Sequence, residues 1–402
     1  RKGMRVAWLL AALVEASYAL SKSDKFEKEV TASKHATTEA PVVGIKKQEI
    51  GERVRYPPRV VTIKTILEEH EEMDDGERRF HLPATLAYIT PWNSQGYSRA
   101  TQIAHKLTHV SPVWLQLRPQ SADGARACRV EGSHDIDHGW MADLRTNNSA
   151  LKIVPRVILD GWEAEELTRF LADEEWGLRC MNDLFNIIQR NGFDGIVLET
   201  WLAALSSMRP ADMPLLLEFL TSWGDEIHKR DMQMILPVPP PVNSDMSINP
   251  LIFNADHLRA LVPSVDYIQV MTYDLKSVNG KSFPLAPFEW VEATIHAILD
   301  EAPELAGHVM IGLNHYGLFT DFHAQKQEPI TQDRYLELLS DEKAKLRWDA
   351  KVKEHAVRVG MIDTYYPSLT SIEERMILAA EYGVGVGIWD LGQGLNYFSR
   401  LL

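Results

Sequence analysis

The residues with the clearest chemical potential lie in one short segment, residues 191–201, which opens with Asn-Gly and continues as a short apolar run. Such a run is typical of a strand that is buried on both faces. Because side chains alternate along a strand, Val197, Glu199 and Trp201 are expected on one face. A carboxylate on a buried face must be paired or functional, since desolvating it alone is costly. We therefore expect a site at the end of this strand.

Aromatic side chains mark the ends of several other apolar runs. One aromatic residue in a strand usually belongs to the core, but five at equivalent strand ends indicate a surface for a ligand. Flat rings cover the apolar C–H faces of sugars, while polar atoms around them bond to the sugar hydroxyls. The sequence therefore predicts a carbohydrate cleft lined by Trp92, Trp114, Trp201, Tyr273 and Trp389.

The elements that must position these residues form a regular series from residue 83 onward. Short apolar runs alternate with amphipathic segments at a spacing typical of βα units. We predict strands at 84–92, 109–117, 151–159, 191–201, 232–238, 265–273, 308–314 and 384–389, with helices at 100–107, 137–145, 164–189, 214–228 and 290–299. Eight strand–helix units in ~320 residues predict an α/β fold, a (β/α)₈ TIM barrel.

A small insertion is predicted between strands seven and eight, at residues 318–367, with residues 346–357 as a strand-like excursion. A doubly wound parallel sheet is the alternative fold. It has less support because no glycine-rich phosphate loop follows the first strand.

The segment from Phe193 resembles the signature strand of glycoside hydrolase family 18, the chitinases, whose pattern is F-D-G-x-D-x-D-x-E. In a comparison without gaps, the second Asp of the pattern is Val197 and the third is Glu199. The catalytic Glu of the family is Trp201 in this sequence. The resemblance therefore implies that the frame is kept and the acid is missing.

Three further segments extend the resemblance over about residues 83–402. Residues 88–92 (YITPW) are similar to the family's first strand, and residues 269–274 (QVMTYD) contain its M-x-Y-D motif. Residues 312–317 (GLNHYG) are similar to its G-x-P-x-Y-G run, with Asn314 in place of proline. Trp389 falls where the family keeps a tryptophan beneath one sugar.

The resemblance implies a set of carbohydrate-binding residues beyond the aromatic ones. Tyr273 and Asp274 would hold the N-acetyl group of a sugar, and Met271 would line the same pocket. Asn314 and Tyr316, from the G-x-P-x-Y-G-like run, complete the predicted set together with Glu199, which would lie beneath the missing acid.

The mechanism implied by the resemblance distinguishes an enzyme from a lectin. In substrate-assisted hydrolysis one Glu protonates the leaving oxygen, and that acid must lie within ~3 Å of it. Glu199 precedes Trp201 by two residues and is expected ~6.6 Å deeper along the strand. Losing general acid catalysis costs roughly 10²–10⁴-fold in rate. We therefore predict a lectin for chito-oligosaccharides or other amino sugars, without catalytic residues.

Two alternatives stay open. The first is a weak or altered-specificity glycosidase that uses Glu199 or Asp274. The second is a protein-interaction module with a vestigial cleft. Residues 20–24, 90–94, 111–117 and 391–395 are especially similar to secreted, lectin-like members of the family. That similarity implies a scavenger-receptor partner and a role in innate immunity.

Charge and composition exclude some classes of partner. The net charge of −14 argues against nucleic acid, which needs a basic surface, and against anionic membranes. The apolar run near the N-terminus is too short to span a bilayer of ~30 Å, and no other stretch approaches a transmembrane helix. The histidines are scattered, so neither a metal site nor a cofactor is expected.

The start of the chain is typical of a targeting segment. Met4-Arg5 precedes the apolar run 6–14, and small residues lie near Ala19, so we predict a signal peptide at residues 1–19. The expected location is secreted, or the lysosome or late endosome. Residues 20–82 are predicted as a polar N-terminal extension that is partly disordered until it reaches the barrel.

Two features fit a secreted glycoprotein. Asn147, in Asn-Asn-Ser, is a candidate glycosylation acceptor. Cys128 and Cys180 are the two cysteines of the chain, and the sequence leaves open whether they pair.

Overall fold

The computed structural model describes residues 44–48, 61–122, 125–276 and 282–402. The strands of these segments are β1 (Thr85–Ile89), β2 (His109–Pro112), β3 (Leu115–Ala122), β4 (Ala125–Glu131), β5 (Lys152–Ile153), β6 (Arg156–Leu159), β7 (Gly195–Glu199), β8 (Gln233–Val238), β9 (Tyr267–Val270), β10 (Val309–Asn314), β11 (Gly317–Asp321), β12 (Lys326–Ile330), β13 (Lys345–Asp349), β14 (Glu354–Val359), β15 (Ile362–Tyr365) and β16 (Gly385–Trp389).

The described α-helices connect these strands and cover the sheet on its outside. They are Ile63–Glu69, Gln95–Gln102, His138–Asn147, Ala164–Ala172, Glu174–Arg190, Trp201–Ser207, Met213–His228, Ala255–Leu261, Phe288–Leu299, Gln332–Leu339 and Leu369–Tyr382. Helix Glu174–Arg190 shows how the sequence produces this layer. It begins after the capping residue Asp173, whose side chain accepts from the Trp176 amide, and it buries Cys180, Leu184 and Ile188 on one face.

Parallel pairing closes the main sheet into a barrel of eight. The β1 strand pairs with β2 on one side and with β16 on the other. From β6 the ladder runs through β7, β8, β9 and β10 to β16. The second and third barrel strands are each interrupted, as β2 followed by β3 and as β5 followed by β6, and both parts pair across. The predicted (β/α)₈ barrel is confirmed.

The barrel has an inner and an outer core. The inner core lies in the lumen and contains Leu86, Tyr88, Val197, Ile235 and Met310, against which Trp389 packs. The outer core lies between the sheet and the helices and contains the alternate residues of the same strands, such as Leu198. A barrel strand is therefore apolar on both faces, which is why each reads as an unbroken apolar run.

The second barrel strand continues beyond the barrel as an antiparallel hairpin. Strands β3 and β4 pair from Gln116 opposite Glu131 to Ala122 opposite Ala125. A disulfide joins Cys128 of β4 to Cys180 of helix Glu174–Arg190, with their Cα atoms 5.2 Å apart. The pairing that the sequence left open is therefore present, and it attaches the hairpin to the helix layer.

The insertion lies between strands seven and eight of the barrel, as predicted, and forms a second sheet of five strands in the order β12–β11–β15–β14–β13. All four pairings are antiparallel. The predicted single excursion at 346–357 is wrong, because Lys353 turns the chain with a φ of 52° between β13 and β14.

Part of the predicted N-terminal extension packs against the barrel. Ile66 and Phe80 are buried, and the Arg79 amide donates to the Leu402 carbonyl at 3.0 Å. The fully buried ammonium of Lys106 bonds to Asp74 and to the Ser399 carbonyl. The predicted signal peptide at 1–19 lies outside the described residues, as do 20–43 and 49–60 of the extension.

No helix within the described segments is both long enough and apolar enough to cross a bilayer.

Candidate carbohydrate-binding site

The site is built where the inner core ends and polar side chains replace apolar ones. On β7, Val197 is packed in the lumen and Glu199, two residues later, faces the same way at the last position of the strand. Its side chain is 18% exposed. The Glu199 Oε2 lies 2.8 Å from Nε of Arg156, the first residue of β6. The predicted buried carboxylate is thus present, and it is paired.

Arg156 links this carboxylate to the aromatic part of the site. Its side chain is 4% exposed, and its guanidinium lies 5.7 Å from the centroid of the Trp389 indole. Trp389 in turn makes an edge contact with Tyr88, with ring centroids 5.1 Å apart. A cation over an indole face is attracted by the ring quadrupole, so the three groups hold one another in place.

Arg156 was not among the predicted site residues. A signal was available, because the apolar run 151–159 contains two charged residues, Lys152 near its start and Arg156 in its interior. A charge in a strand that is buried on both faces requires a partner. Glu199 is that partner, on the neighbouring strand β7 and two residues beyond Val197, which lies opposite Arg156 in the ladder.

The sixth strand of the barrel, β9, supplies Gln269, and the chain just after it supplies Tyr273. Tyr88 donates from its hydroxyl to Gln269 Oε1 at 3.2 Å. Burial raises the pKa of Tyr88, and the negative charge of Glu199 acts in the same direction. Burial also raises the pKa of Tyr273 well above its usual value, and Tyr88, Asp274 and Glu199 add to this. Both phenols therefore stay protonated and can donate hydrogen bonds.

Two glycines on adjacent strands make room for these groups. A Cβ at Gly312 of β10 would lie 2.5 Å from Cε1 of Tyr273. A Cβ at Gly387 of β16 would lie 2.8 Å from Cγ of Gln269. Real Cβ atoms do not approach this closely, so the polar layer depends on the missing side chains of its neighbours.

Asp274, Tyr316 and Asn314 form a second polar group beside Tyr273. Tyr316 donates from its hydroxyl to Asp274 Oδ1 at 2.5 Å, and the Asn314 amide donates to the Tyr316 carbonyl at 2.8 Å. Asn314 and Tyr316 are buried, whereas Asp274 is exposed and has a φ of 62°. Surrounding protein atoms nevertheless raise the pKa of Asp274 by desolvation, although the Tyr316 hydrogen bond opposes this.

Trp201 does not stand at the barrel mouth, and that prediction is wrong. The strand ends at Glu199, and Trp201 is the first residue of helix Trp201–Ser207. Its side chain has no exposed surface, and its indole N–H donates to the Ile252 carbonyl at 2.9 Å. Phe253 packs against it with a centroid distance of 5.2 Å. The alternation that placed it beside Glu199 holds only while the chain stays extended.

Trp114 is also absent from the cleft, contrary to the prediction. It is 1% exposed and donates from its indole to the Tyr97 hydroxyl at 2.8 Å. Trp140 and Phe193 pack around it. The chain between β2 and β3 is not a ladder position, and it turns this indole into the outer core.

Four of the other predicted residues keep access to solvent, whereas Asn314 and Tyr316 are buried. Trp92, in the turn after β1, is 39% exposed. Met271, Tyr273 and Trp389 are partly exposed. The structure therefore places Glu199 and Trp389 against Arg156, and Tyr273 and Asp274 against Tyr316, and it leaves Trp114 and Trp201 in the outer core.

Comparison with known proteins identifies the class to which this fold and site belong. Residues 84–394 match Glycosyl hydrolases family 18. This match covers well over half of the chain, and the protein belongs to that family.

One curated relative and two solved structures illustrate the family. The cortical fragment-lytic enzyme of Bacillus subtilis (strain 168) is 23% identical over 236 residues, which are 58% of this chain. The match spans about half (51%) of the length of that relative.

The solved structures resemble this chain in fold. A class V chitinase from Nicotiana tobaccum, in complex with NAG4, has a TM-score of 0.63 and 14% identity over 79% of this chain and 97% of its own. A chitinase-like agglutinin from Robinia pseudoacacia has a TM-score of 0.61 and 14% identity over the same shares, 79% and 97%. Proteins with this fold therefore include both a chitinase and an agglutinin.

Proposed function

We propose that this protein is a chitinase-like lectin that binds amino-sugar oligosaccharides and does not hydrolyse them efficiently. The observation that carries the proposal is the ion pair between Arg156 and Glu199 beneath the indole of Trp389. It supports a binding surface in which the ring covers a sugar face and the nearest carboxylate is already engaged.

The ion pair between Arg156 and Glu199 is what disfavours hydrolysis. The sequence predicted an indole at the barrel mouth in place of the catalytic acid, but Trp201 lies in the outer core. A general acid must carry a proton and lie close to the leaving oxygen. The Glu199 carboxylate lies 2.8 Å from Nε of Arg156, so it is engaged with a partner inside the protein and is not free to reach a leaving oxygen.

The polar groups suit an N-acetyl sugar. The partly exposed Tyr273 supplies a phenolic donor and Asp274 supplies an acceptor, while the buried Tyr88 and Gln269 bond to each other. The partly exposed indole of Trp389 supplies an apolar floor. The chitinase from Nicotiana tobaccum was solved with NAG4, which supports chito-oligosaccharides as the first ligands to try.

Titration calorimetry of the full chain with a chito-oligosaccharide series tests the proposal. We expect binding, and we expect Trp389→Ala to weaken it by at least about tenfold, or 1.4 kcal/mol. Trp348→Ala is a matched control, because it removes an indole that is 38% exposed on β13 of the other sheet. Absence of heat at millimolar ligand, or equal losses in the two variants, would count against a lectin site at Trp389.

A glycosidase is the second candidate function, and the environment of Asp274 favours it. This carboxyl is exposed, its pKa is raised, and a proton on it at working pH would be available to a leaving oxygen. Incubation with a fluorogenic N-acetylglucosaminide decides between the two functions. We expect no turnover; turnover that Asp274→Asn or Glu199→Gln abolishes would establish the enzyme.

We also propose that the protein is secreted or resides in the lysosome or late endosome. The disulfide between Cys128 and Cys180 supports this, since such bonds persist in oxidising compartments. Asn147 is exposed at the end of helix His138–Asn147, which supports its use as a glycosylation acceptor. Glycosidase-sensitive mass at Asn147 in protein secreted by cells is the expected result. The scavenger-receptor partner and the role in innate immunity stay predictions from the resemblance.

A further inference from the structure

A cavity of about 330 Å³ lies in the helix layer outside the barrel. It is enclosed by helix Trp201–Ser207, the start of helix Met213–His228, the loop at 249–254 and His257. Pockets of 300–1,000 Å³ hold small organic molecules. Its described lining contains none of the lumen groups, so it is separate from the candidate carbohydrate site.

The wall of the cavity is mainly apolar. The side chains that form it are those of Ala204, Leu205, Met208, Pro210, Met213, Leu216, Leu251 and Ile252. The two methionines are flexible and polarisable, and such side chains adapt to irregular apolar ligands. The volume corresponds to about eleven water molecules at ~30 Å³ each.

The polar side chains of the wall are mostly engaged within the protein. Ser206 donates to the Leu202 carbonyl at 2.9 Å. Asn249 Oδ1 accepts from the Leu251 amide, and Asn254 Oδ1 accepts from the His257 amide. A sugar needs several free partners for its hydroxyls, so these walls do not suit carbohydrate.

The charged groups at the cavity neutralise each other. Arg209 forms two hydrogen bonds with Asp212, from Nε and from Nη2, both at 2.9 Å. No other ionic side chain belongs to the described lining except the imidazole of His257. A ligand with a formal charge therefore finds no unpaired opposite charge here.

His257 is the polar group left for a ligand. Within the segments that the structure describes, neither ring nitrogen has a hydrogen-bond partner, and Nδ1 is buried. Burial lowers the pKa of His257, so the ring is neutral at pH 7, with one donor and one acceptor nitrogen. A hydroxyl group can pair with Nε2 in either tautomer, because it both donates and accepts.

We propose that this cavity binds an uncharged amphiphile, an alkyl chain with a hydroxyl head group, whose hydroxyl bonds to the imidazole of His257. The chain lies against the methionine and leucine side chains of the wall. The exposed side chain of Leu251, at 47%, extends the apolar surface to the rim.

Trp201 supplies a local reporter for such binding. Its ring centroid lies 5.4 Å from that of His257, and its indole N–H bonds to the carbonyl of the wall residue Ile252. A ligand against His257 changes the surroundings of this indole and therefore its fluorescence. In Trp201→Phe the ligand-dependent part of the signal is expected to fall, with binding measured by calorimetry retained.

The test uses the full chain and monodecanoylglycerol below its micellar concentration, measured by calorimetry and tryptophan fluorescence. Decanoate carries the same chain with a charge, and a chito-oligosaccharide is the carbohydrate probe. We expect saturable binding of monodecanoylglycerol, at least tenfold weaker binding of decanoate, and no competition by the oligosaccharide.

Three substitutions locate the site. Met213→Trp fills the cavity from a partly exposed position and is expected to weaken binding at least tenfold. His257→Leu removes one hydrogen bond and is expected to weaken it about fivefold. Met361→Trp, at a side chain 59% exposed in the insertion, is the matched control and leaves binding unchanged.

Failure of monodecanoylglycerol to bind overturns the proposal, as does unchanged affinity in a Met213→Trp protein whose thermal unfolding and oligosaccharide binding match the wild type. Decanoate binding as tightly as the glyceride overturns the uncharged class of ligand.

Discussion

Strands four and eight of the barrel both lead to a tryptophan, and the two indoles have opposite fates. Strand β16 stays extended through Trp389, whose ring lies over Arg156 in the lumen. Strand β7 ends at Glu199, and the chain turns at Thr200 (ψ −24°) into a helix that carries Trp201 to the outer core. Side-chain alternation therefore predicts the face of a residue only as far as the ladder continues.

The difference also separates two kinds of energetic role. Trp201 fills space between helices and satisfies a backbone carbonyl, so its contribution is to stability. Trp389 is partly exposed and contacts a charged pair, and in the proposed site its contribution is to ligand binding. Three stability measurements on the protein without ligand test this difference in role.

The largest expected effect is on folding, from Trp201→Ala. The change leaves a large cavity and an unpaired Ile252 carbonyl, and should lower the free energy of unfolding by about 3–5 kcal/mol. Trp389→Ala should lower it by less, because that indole is partly exposed. Urea titration of both variants measures the difference, and equal losses would show that the two indoles do not differ in role.

The next effect concerns the ion pair between Arg156 and Glu199, over which the Trp389 ring lies. Arg156→Met leaves the Glu199 carboxylate without its partner and should destabilise the fold by about 3 kcal/mol. Glu199 is partly exposed, which keeps the cost near the lower end of the range for buried pairs. The double variant Arg156→Met with Glu199→Gln should recover most of the loss. If the single and double variants have the same free energy of unfolding, the unpaired Glu199 carboxylate is not the source of the loss.

The smallest of the three effects depends on pH. His315 follows β10, donates its amide to the Trp389 carbonyl at 2.9 Å and is 2% exposed. Burial, assisted by the charge of Arg99, lowers the pKa of His315 to about 3. The unfolded chain, with a histidine pKa near 6.5, therefore binds a proton that the folded chain does not.

Stability should consequently fall as the pH drops below 6.5, by roughly 2 kcal/mol from this residue at pH 5. His315→Leu should flatten the dependence by that amount between pH 7 and pH 5. His355, whose pKa burial lowers to about 4, contributes the same slope to both proteins and cancels in the comparison. A wild-type slope in His315→Leu would mean that this histidine titrates normally.

Much of the fold was predictable because barrel strands are buried on both faces. The eight apolar runs and the place of the insertion follow from hydrophobic pattern and spacing alone. The hydrophobic pattern does not show where the hydrogen-bonded pairing of two strands is interrupted. The breaks before Leu115 and Arg156 fall within single apolar runs, and the hairpin of β3 and β4 reads as polar because it leaves the barrel.

The candidate site was predictable in part for the same reason. Glu199, Tyr273, Asp274 and Trp389 lie at strand ends that the pattern locates, and the resemblance names most of them. The partner of Glu199 was not found, because pairing across strands depends on register, which a single sequence does not fix. The prediction for Trp114 was wrong because this residue lies in the break between β2 and β3, which the sequence does not reveal.

Gly312 and Gly387 give the polar layer an unusual property. The side chains of Tyr273 and Gln269 occupy space that neighbouring strands have left vacant. Adding even a methyl group on those strands displaces Tyr273 or Gln269 on another one. The shape of this layer can therefore change only through paired substitutions, and laboratory selection that varies one codon at a time will find few of them.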